Sequence, residues 1–359
     1  MYPLEAATAY PRAQWYIAGY GVEFTSKVFG RRILGDRIIF FRSEEGEPVA
    51  LSGRCAHRFM PLDSAELKDG SVVCRYHGYT YDKHGQCHAI PTGGPISKHA
   101  RLRRYPVVER GPIVWIWMGS SDEPQMGLLP NPVEIGLGDG QTDWCVKVAK
   151  TFPMKARAAL LIDNLFDLSH LAFVHSQTLA GAGSLVMVPP AIEMVDGRLR
   201  VSRVIPKMEF EPGSLLDLDF PVVRKWGPVY CLLHTEMYNP SLINSTGPWV
   251  YSLGPDEKPD KLIAQLNFVH GLTPETDHST HYFGVVTRNY DIDDDELSRI
   301  LINQTDSVRA EDVEFLEELE EAIDGDVSAR REISTVVDAG AIEARRILKG
   351  LIRAEAAVP

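Results

Sequence analysis

Residues 55–62 read CAHRFMPL and residues 74–82 read CRYHGYTYD. Each stretch offers one cysteine and one histidine within a few positions: Cys55 with His57, and Cys74 with His77. Two such loops facing each other supply two thiolates and two imidazoles. This is the donor set of a mixed-ligand [2Fe–2S] cluster, in which sulfur holds one iron and nitrogen holds the other. The pattern therefore predicts a cluster-binding domain in the first third of the chain.

A structural zinc site is the main alternative, because zinc also binds two cysteines and two histidines. The order here, C-x-H followed by C-x₂-H, differs from the usual zinc-finger order, and no helix is predicted at the second pair. A chance arrangement is the other alternative, and the strictness of the spacing argues against it. The colour of the purified protein separates the two metals, since zinc sites are colourless.

The composition of the chain limits its partners and its location. With 359 residues and a formal net charge of −12, it is predicted to have two domains and to bind neither nucleic acid nor a membrane. Residues 1–14 lack the apolar segment of a secretory signal, and no run approaches the length of a membrane-spanning helix. Five cysteines make a poor disulfide framework, so a cytoplasmic location is predicted.

The distribution of apolar residues predicts an α+β protein. Short strands separated by Gly, Pro and Asp fill residues 15–118, and a Gly/Pro-rich stretch follows at 120–140. We therefore expect an N-terminal all-β cluster domain over residues 1–120 and an α+β domain over residues 121–359. In the second domain, a helix-backed antiparallel sheet is predicted from strand-like stretches over 186–289 and from three helical segments: 155–173, 296–323 and 339–356.

A second group of metal-binding residue types stands in residues 163–175, DNLFDLSHLAFVH. Asn164, Asp167 and His170 are spaced by three, so a helix would place them along one face among buried leucines. Buried polar groups need partners, and a metal would supply one. His175 lies about 140° round an ideal helix from His170. Both can reach one metal only if the helix distorts, and irregular backbone is predicted near residues 173–176.

Two histidines need a carboxylate to complete the facial triad of a mononuclear Fe(II) site that leaves positions open for O₂. In the helix over residues 308–323, Asp312 shares its stripe with Leu316, Leu319 and Ile323, whereas the glutamates lie away from its centre. Asp312 is therefore the predicted third ligand beside His170 and His175. The alternative is a shifted helix that leaves this carboxylate on the rim.

Nearly the whole chain resembles the Rieske non-haem iron oxygenases, in particular the oxygenase components of vanillate O-demethylase and dicamba monooxygenase. The two cluster loops carry the first part of this resemblance, and residues 58–60 and 75–76 lack the extra cysteines of respiratory Rieske proteins. The remainder lies in six further segments: WYIA at 15–18, YPVVERGPIVWIWMG at 105–119, LIDNLFDLSHLAFVH at 161–175, LTPETDHSTHYFGVVTRNY at 272–290, AEDVEFLEELE at 310–320 and DAGAIEARRILKGLI at 338–352. Residues 180–255, which shape the substrate pocket in this family, match poorly.

The resemblance implies a terminal oxygenase with a [2Fe–2S] Rieske cluster and mononuclear Fe(II). Such an enzyme uses O₂ and electrons from NAD(P)H, delivered by a reductase with or without a ferredoxin. The absence of a nucleotide-binding fingerprint from the sequence agrees with a separate reductase. The implied reaction is oxidative O- or N-dealkylation, such as demethylation, of a substituted aromatic compound. The alternative is ring or side-chain hydroxylation by the same iron.

The resemblance also implies roles for individual residues. The family forms head-to-tail homotrimers in which each cluster meets the iron of the neighbouring subunit. Asp167 would bridge the two centres, and Asp167 and Asn164 are the candidate catalytic residues. His270 would contact the substrate. A protein that only transfers electrons is another possible class, and an iron content near two rather than three per chain would favour it.

Overall fold

In the computed structural model, two compact units are described over residues 10–121, 123–179, 188–209, 219–324 and 332–357. The N-terminal unit holds the described residues of 12–129 together with 273–277, and the C-terminal unit holds the rest. The division thus falls after residue 129, whereas the sequence suggested residue 120. Residues 121 and 123–129 belong to the N-terminal unit. In this stretch the Gln125 carbonyl accepts a hydrogen bond from the Trp15 indole nitrogen over 3.0 Å. Parts of the predicted pocket-shaping stretch, 180–187 and 210–218, lie outside the described residues.

The N-terminal unit is built from three small sheets. Their strand orders are β1-β11-β10, β2-β3-β4-β9 and β5-β6-β7-β8. The strands are β1 (Trp15–Tyr20), β2 (Phe29–Ile33), β3 (Asp36–Arg42), β4 (Pro48–Ser52), β5 (Glu66–Lys68), β6 (Ser71–Val73), β7 (Thr80–Tyr81), β8 (Cys87–Ala89), β9 (Arg104–Tyr105), β10 (Val107–Arg110) and β11 (Ile113–Trp117). The prediction of short strands over residues 15–118 is confirmed, since β1 begins at Trp15 and β11 ends at Trp117.

One core of the N-terminal unit lies beneath the cluster loops. It combines β-strand residues such as Phe41, Leu51 and Tyr81 with the two loop cysteines, Cys55 and Cys74, all of them almost fully buried. Burying this apolar surface stabilises the loops at their bases by roughly 1.5–3 kcal/mol for each large side chain. The cysteines are therefore fixed by packing, whereas the loop tips extend outwards.

The C-terminal unit is organised around one ten-stranded sheet. Its main order is β12-β21-β20-β17-β16-β15-β14, while β13 pairs with β21, and β18 pairs with β16 and β19. The strands are β12 (Cys145–Val148), β13 (Phe152–Met154), β14 (Ala191–Val195), β15 (Arg198–Met208), β16 (Val229–Asn239), β17 (Leu242–Thr246), β18 (Trp249–Leu253), β19 (Pro259–Ala264), β20 (Leu266–Thr276) and β21 (Ser279–Arg288). The α-helices with both ends among the described residues are α1 (Ala158–Phe166), α2 (Asp295–Asp324) and α3 (Ala339–Ala356).

The helices cover one face of this sheet. Ile243 of β17 stands opposite His270 of β20, so both side chains project to the same face. That face packs against the apolar residues of the helices in a common core: Leu161 and Leu165 of α1, Leu316 of α2 and Leu348 of α3, with Met237, Ile243 and Leu272 of the sheet. The predicted α+β architecture with a helix-backed antiparallel sheet is confirmed. No described helix is long and apolar enough to cross a membrane.

Two local predictions need correction. The helix predicted over residues 155–173 is shorter, because α1 ends at Phe166 and a separate 3₁₀ helix follows over Leu168–Ala172. The irregular backbone begins earlier than predicted, at Asp167, and it continues through turns at 173–178, which include the predicted region near 173–176. In α2, Leu319 is 46% exposed although it was expected to face inwards, and Glu320 is buried instead. Burial of Glu320 is compensated by Arg157, whose guanidinium donates to both carboxylate oxygens over 2.5 and 2.7 Å.

Candidate metal centres

The two cluster loops share one backbone design. In each loop the cysteine N–H donates to the carbonyl five residues later: Cys55 to Met60 and Cys74 to Tyr79, both over 2.9 Å. In each loop the residue four positions after the cysteine has a positive φ: Phe59 at 56° and Gly78 at 68°. Glycine suits this conformation, and at Gly78 a Cβ would also lie 2.6 Å from the Pro91 ring. The repeated turn explains why the sequence carries two similar motifs.

The loops bring the two predicted histidine ligands together. The rings of His57 and His77 lie 4.6 Å apart between centroids, and His57 stacks on Tyr79 at the same centroid distance. The His57 Nδ1 atom is buried and has no hydrogen-bond partner within the described parts of the chain. All five cysteines are free thiols. An unpartnered buried nitrogen beside two buried free thiols fits a site for a mixed-ligand iron–sulfur cluster.

Tyr81, in β7, contacts the first cluster loop at Cys55 and Ala56. Its hydroxyl oxygen accepts a hydrogen bond from the Ala56 N–H over 3.1 Å and lies 3.1 Å from the Cys55 sulfur. The hydroxyl hydrogen is therefore available to the sulfur, which accepts it when Cys55 is a thiolate. Burial, and then the neighbouring Cys55, raise the pKa of Tyr81 well above its ordinary value. The phenol thus stays protonated and serves as a fixed donor.

We predict that Tyr81→Phe lowers the reduction potential of the cluster. A hydrogen bond to the cluster's ligand sulfur stabilises the more electron-rich reduced state. If the difference is about 1.4 kcal/mol, the potential falls by about 60 mV for a one-electron couple. Redox titration followed by the visible spectrum measures this shift. Tyr79→Phe is a matched control, because Tyr79 contacts His57 through its ring, and an unchanged potential in Tyr81→Phe would exclude the donor role.

A second group of donor atoms lies on the helix side of the large sheet. His170, His175 and Asp312 each present one donor atom, and these three atoms all lie within 4.8 Å of one another. The distance from Asp312 Oδ1 is 3.0 Å to His175 Nε2 and 3.6 Å to His170 Nε2. Asp312 is 4% exposed and the His175 side chain is fully buried. The structure thus brings together the three residues that the sequence singled out as a ligand set.

Asn164 and Asp167 orient two of these three residues, Asp312 and His170, through hydrogen bonds. Asn164, in the last turn of α1, donates from Nδ2 to Asp312 Oδ1 over 2.9 Å. Asp167 ends α1 and caps the next 3₁₀ helix, since its Oδ1 accepts from the Ser169 N–H over 2.8 Å. The Asp167 carbonyl accepts from His170 Nδ1 over 2.5 Å, which leaves His170 Nε2 facing Asp312. One short segment therefore orients both a carboxylate and an imidazole.

The charges of the site favour an ionised Asp312. Burial by itself raises the pKa of this carboxyl, but contacts with His175, His170 and Asn164 outweigh it and lower the pKa overall. Two imidazole nitrogens and one carboxylate oxygen are the donor set of non-haem Fe(II) sites with open positions for O₂ and substrate. The residues present fit a mononuclear iron.

His270 lies on the same sheet face as the core beneath the helices. Its Nδ1 is 2.6 Å from the Tyr282 hydroxyl, and the residue is 8% exposed. Burial, and then the nearby Arg309, lower the His270 pKa to about 3, so the imidazole is neutral at ordinary pH. In the described parts of the chain, the contact with Tyr282 is the only side-chain hydrogen bond of His270. The other ring nitrogen is available to a ligand on this face.

Glu311 is a functional candidate that the helical periodicity missed. Its Oε2 lies 2.6 Å from His175 Nδ1, and its Oε1 accepts a hydrogen bond from the Thr178 hydroxyl. Glu311 lies off the buried stripe of α2, and the turns at 173–178 bring His175 and Thr178 to it. No local signal reveals this contact, because it depends on where a segment 136 residues away is placed.

Comparison with known families agrees with both centres. The Rieske [2Fe-2S] domain matches residues 14–106, and the vanillate O-demethylase oxygenase C-terminal domain matches residues 154–354. The fold and the paired metal centres define an oxygenase of the Rieske type. The chain belongs to the vanillate O-demethylase family of Rieske oxygenases, and the predicted resemblance is confirmed.

Individual relatives extend over nearly the whole chain. The iron–sulfur subunit of the toluene-4-sulfonate monooxygenase system of Comamonas testosteroni is 30% identical over 95% of this chain and 96% of that protein. The oxygenase component of chloroacetanilide N-alkylformylase from Rhizorhabdus wittichii is 30% identical over 95% of each chain. The crystal structure of dicamba monooxygenase bound to 3,6-dichlorosalicylic acid has a TM-score of 0.83 and 28% identity, covering 98% of this chain and 100% of that chain.

Proposed function

We propose that this chain is the terminal component of a multicomponent monooxygenase that removes an alkyl group, such as methyl, from the oxygen or nitrogen of a substituted aromatic compound. The convergence of His170, His175 and Asp312, with the buried His270 near enough to interact electrostatically with Asp312, supports this proposal most directly. The family includes vanillate O-demethylase, and relatives of similar length act on dicamba and on chloroacetanilides.

The proposed reaction balances in atoms and electrons, and it does not require this chain to bind NAD(P)H. One O₂ and two electrons with two protons convert an alkyl C–H beside oxygen or nitrogen into C–OH and release water. The resulting hemiacetal or hemiaminal collapses to a phenol or amine and an aldehyde. We propose that a reductase, with or without a ferredoxin, supplies the electrons from NAD(P)H. The exposed side chains of Arg58, Phe59, Arg75, Tyr76 and His77 support docking of a protein at the cluster loops.

The chain's own residues would hold and orient the reacting groups. Cys55, His57, Cys74 and His77 would hold the cluster, and His170, His175 and Asp312 would hold Fe(II). When bound, the cluster supplies single electrons and the mononuclear iron supplies O₂ activation. Asn164 holds the orientation of Asp312 through its amide. The neutral His270 would orient the substrate through a hydrogen bond to a polar substituent of the ring.

The remaining assignments concern assembly and location. We propose a homotrimer in which Asp167 lies between the cluster histidine of one subunit and the iron histidine of its neighbour, because a closed ring of three identical contacts pairs each cluster with one iron. The cytoplasm is the proposed location, and the five free cysteines support a reducing compartment.

Hydroxylation is the second candidate function, since a relative of 30% identity belongs to a toluene-4-sulfonate monooxygenase system. The test is a screen of methoxylated and N-alkylated aromatic compounds together with ring-methylated ones, using a surrogate reductase, NADH and O₂. Aldehyde release in step with NADH oxidation supports dealkylation. A hydroxylated ring or methyl group without aldehyde supports the alternative. His170→Ala protein, which should form neither product, controls for activity of the reductase alone.

A further inference from the structure

The two candidate iron histidines are oriented by different kinds of group. His170 donates from Nδ1 to a neutral backbone carbonyl, that of Asp167. His175 has its Nδ1 2.6 Å from a carboxylate oxygen of Glu311. A backbone carbonyl follows from the local fold, whereas the carboxylate comes from a distant helix. We propose that Glu311 is a positioning residue for the metal centre, which fixes the tautomer and orientation of His175 and strengthens it as a ligand.

The geometry determines which nitrogen of His175 faces the metal position. A carboxylate only accepts hydrogen bonds when it is ionised, so the contact with Glu311 requires the proton on Nδ1. In the neutral imidazole that a metal binds, the lone pair then resides on Nε2, which lies 3.0 Å from Asp312 Oδ1. His170 also directs Nε2 towards Asp312. Both imidazoles thus present the same ring atom to one position.

His175 needs such a side-chain restraint because its backbone is irregular. It lies in the turns after the 3₁₀ helix that ends at Ala172 and not inside a regular helix. Nothing in helical packing therefore fixes its ring. Glu311 restrains this segment at two points, since its second oxygen accepts from Thr178 Oγ1 three residues further on. The carboxylate is two-thirds buried, at 33% side-chain exposure, so its contact with the imidazole is partly shielded from water.

A carboxylate bound to the far nitrogen of a metal-ligating imidazole raises the basicity of the ligand nitrogen. Removal of such a partner commonly weakens metal binding by about ten- to a hundredfold. The inference rests on the proposed function, because it assumes that a metal occupies the position between His170, His175 and Asp312. It adds one residue to the three ligands and assigns that residue an indirect role.

The test is metal binding by chelator-treated protein that retains its Rieske cluster, with Co²⁺ as the probe. Four variants are compared with the unmodified protein: Glu311→Ala, Glu311→Gln, Thr178→Val and the control Glu314→Gln. We expect Glu311→Ala to bind Co²⁺ about ten- to a hundredfold more weakly and to alter the Co²⁺ ligand-field spectrum. Glu311→Gln should be intermediate, because its amide oxygen still accepts from Nδ1–H but carries no charge. Thr178→Val and Glu314→Gln should remain within about threefold of the unmodified protein, since both keep the carboxylate on His175.

Each outcome has a distinct meaning. Unchanged Co²⁺ affinity and spectrum in both Glu311 variants would overturn the inference, even if turnover changed. A loss in Thr178→Val as large as in Glu311→Ala, with Glu311→Gln unaffected, would also overturn it, since it would assign the effect to anchoring of the segment. Retention of the Rieske absorbance shows that the N-terminal unit is folded, and an unchanged circular dichroism signal of the helices shows that the C-terminal unit is folded. If Glu311→Ala is not folded, Glu311→Gln decides the outcome. If the unmodified protein and Asp312→Ala bind the same amount of Co²⁺, no metal binds at Asp312 and the proposed function itself fails.

Discussion

Asp312→Ala is expected to yield a red-brown protein that has lost its mononuclear iron and its turnover. Asp312 is 4% exposed, and its Oδ1 accepts a hydrogen bond from Asn164 Nδ2. The same oxygen faces the Nε2 atoms of His170 and His175. Its removal takes away the one negative charge at the centre of the site. Loss of a buried charged partner costs about 3–5 kcal/mol. That corresponds to about two to four orders of magnitude in metal affinity.

Iron analysis and the cluster spectrum together measure this expectation. The iron content should fall from about three to about two per chain, while the Rieske absorbance remains. Glu318→Ala is the matched control, because it removes an exposed carboxylate from the same helix. A variant at Asp312 that keeps three irons and normal turnover would remove this residue from the ligand set. Asp312→Asn separates charge from shape, since the amide retains an oxygen for Asn164 but carries no charge.

The sequence was sufficient to place Asp312 on the buried side of α2, because helical periodicity and burial agree there. It was insufficient for Leu319 and Glu320, since the pairing of Glu320 with Arg157 spans 163 residues and leaves no mark in the local pattern. An amphipathic stripe therefore identifies the buried side of a helix but not the last residues on its edge. Leu319 was expected to be buried and Glu320 exposed, but the ion pair allows the opposite arrangement. A buried carboxylate with a guanidinium partner is tolerated, and the leucine remains at the surface.

The same distinction holds for the histidine segment. The sequence required a break between His170 and His175, and the structure contains one, because the 3₁₀ helix ends at Ala172 and turns follow. The structure adds an earlier break at Asp167, which was not predicted. Asp167 is a preferred N-cap residue, and its Oδ1 accepts from Ser169 N–H, so D-L-S was a readable signal for a new helical start. Glu311 had no such signal, because its contact with His175 exists only after the two segments have packed. Local chemistry was therefore predictable, and long-range side-chain pairing was not.

Asp167→Asn is expected to retain both metal centres and to slow turnover strongly. Asparagine is as good an N-cap as aspartate, and its Oδ1 can still accept from Ser169 N–H, so the 3₁₀ helix should persist. The backbone carbonyl that orients His170 is unchanged. The substitution thus removes only the negative charge. A hydrogen bond to a charged group contributes about 1.5–3 kcal/mol, and its loss in the proposed bridge would slow electron transfer about ten- to a hundredfold.

Asp167→Ala distinguishes this bridging role from helix capping. The alanine variant loses both the charge and the cap, whereas the asparagine variant loses the charge alone. Steady-state turnover, coupling of NADH oxidation to product, and iron content are measured for both variants. If charge matters, both variants are slow, and Asp167→Asn keeps about three irons per chain. If Asp167→Asn turns over normally with full coupling while Asp167→Ala loses the mononuclear iron, the side chain serves only to end α1 and to start the next helix. Electron transfer between the centres would then have to proceed without this carboxylate.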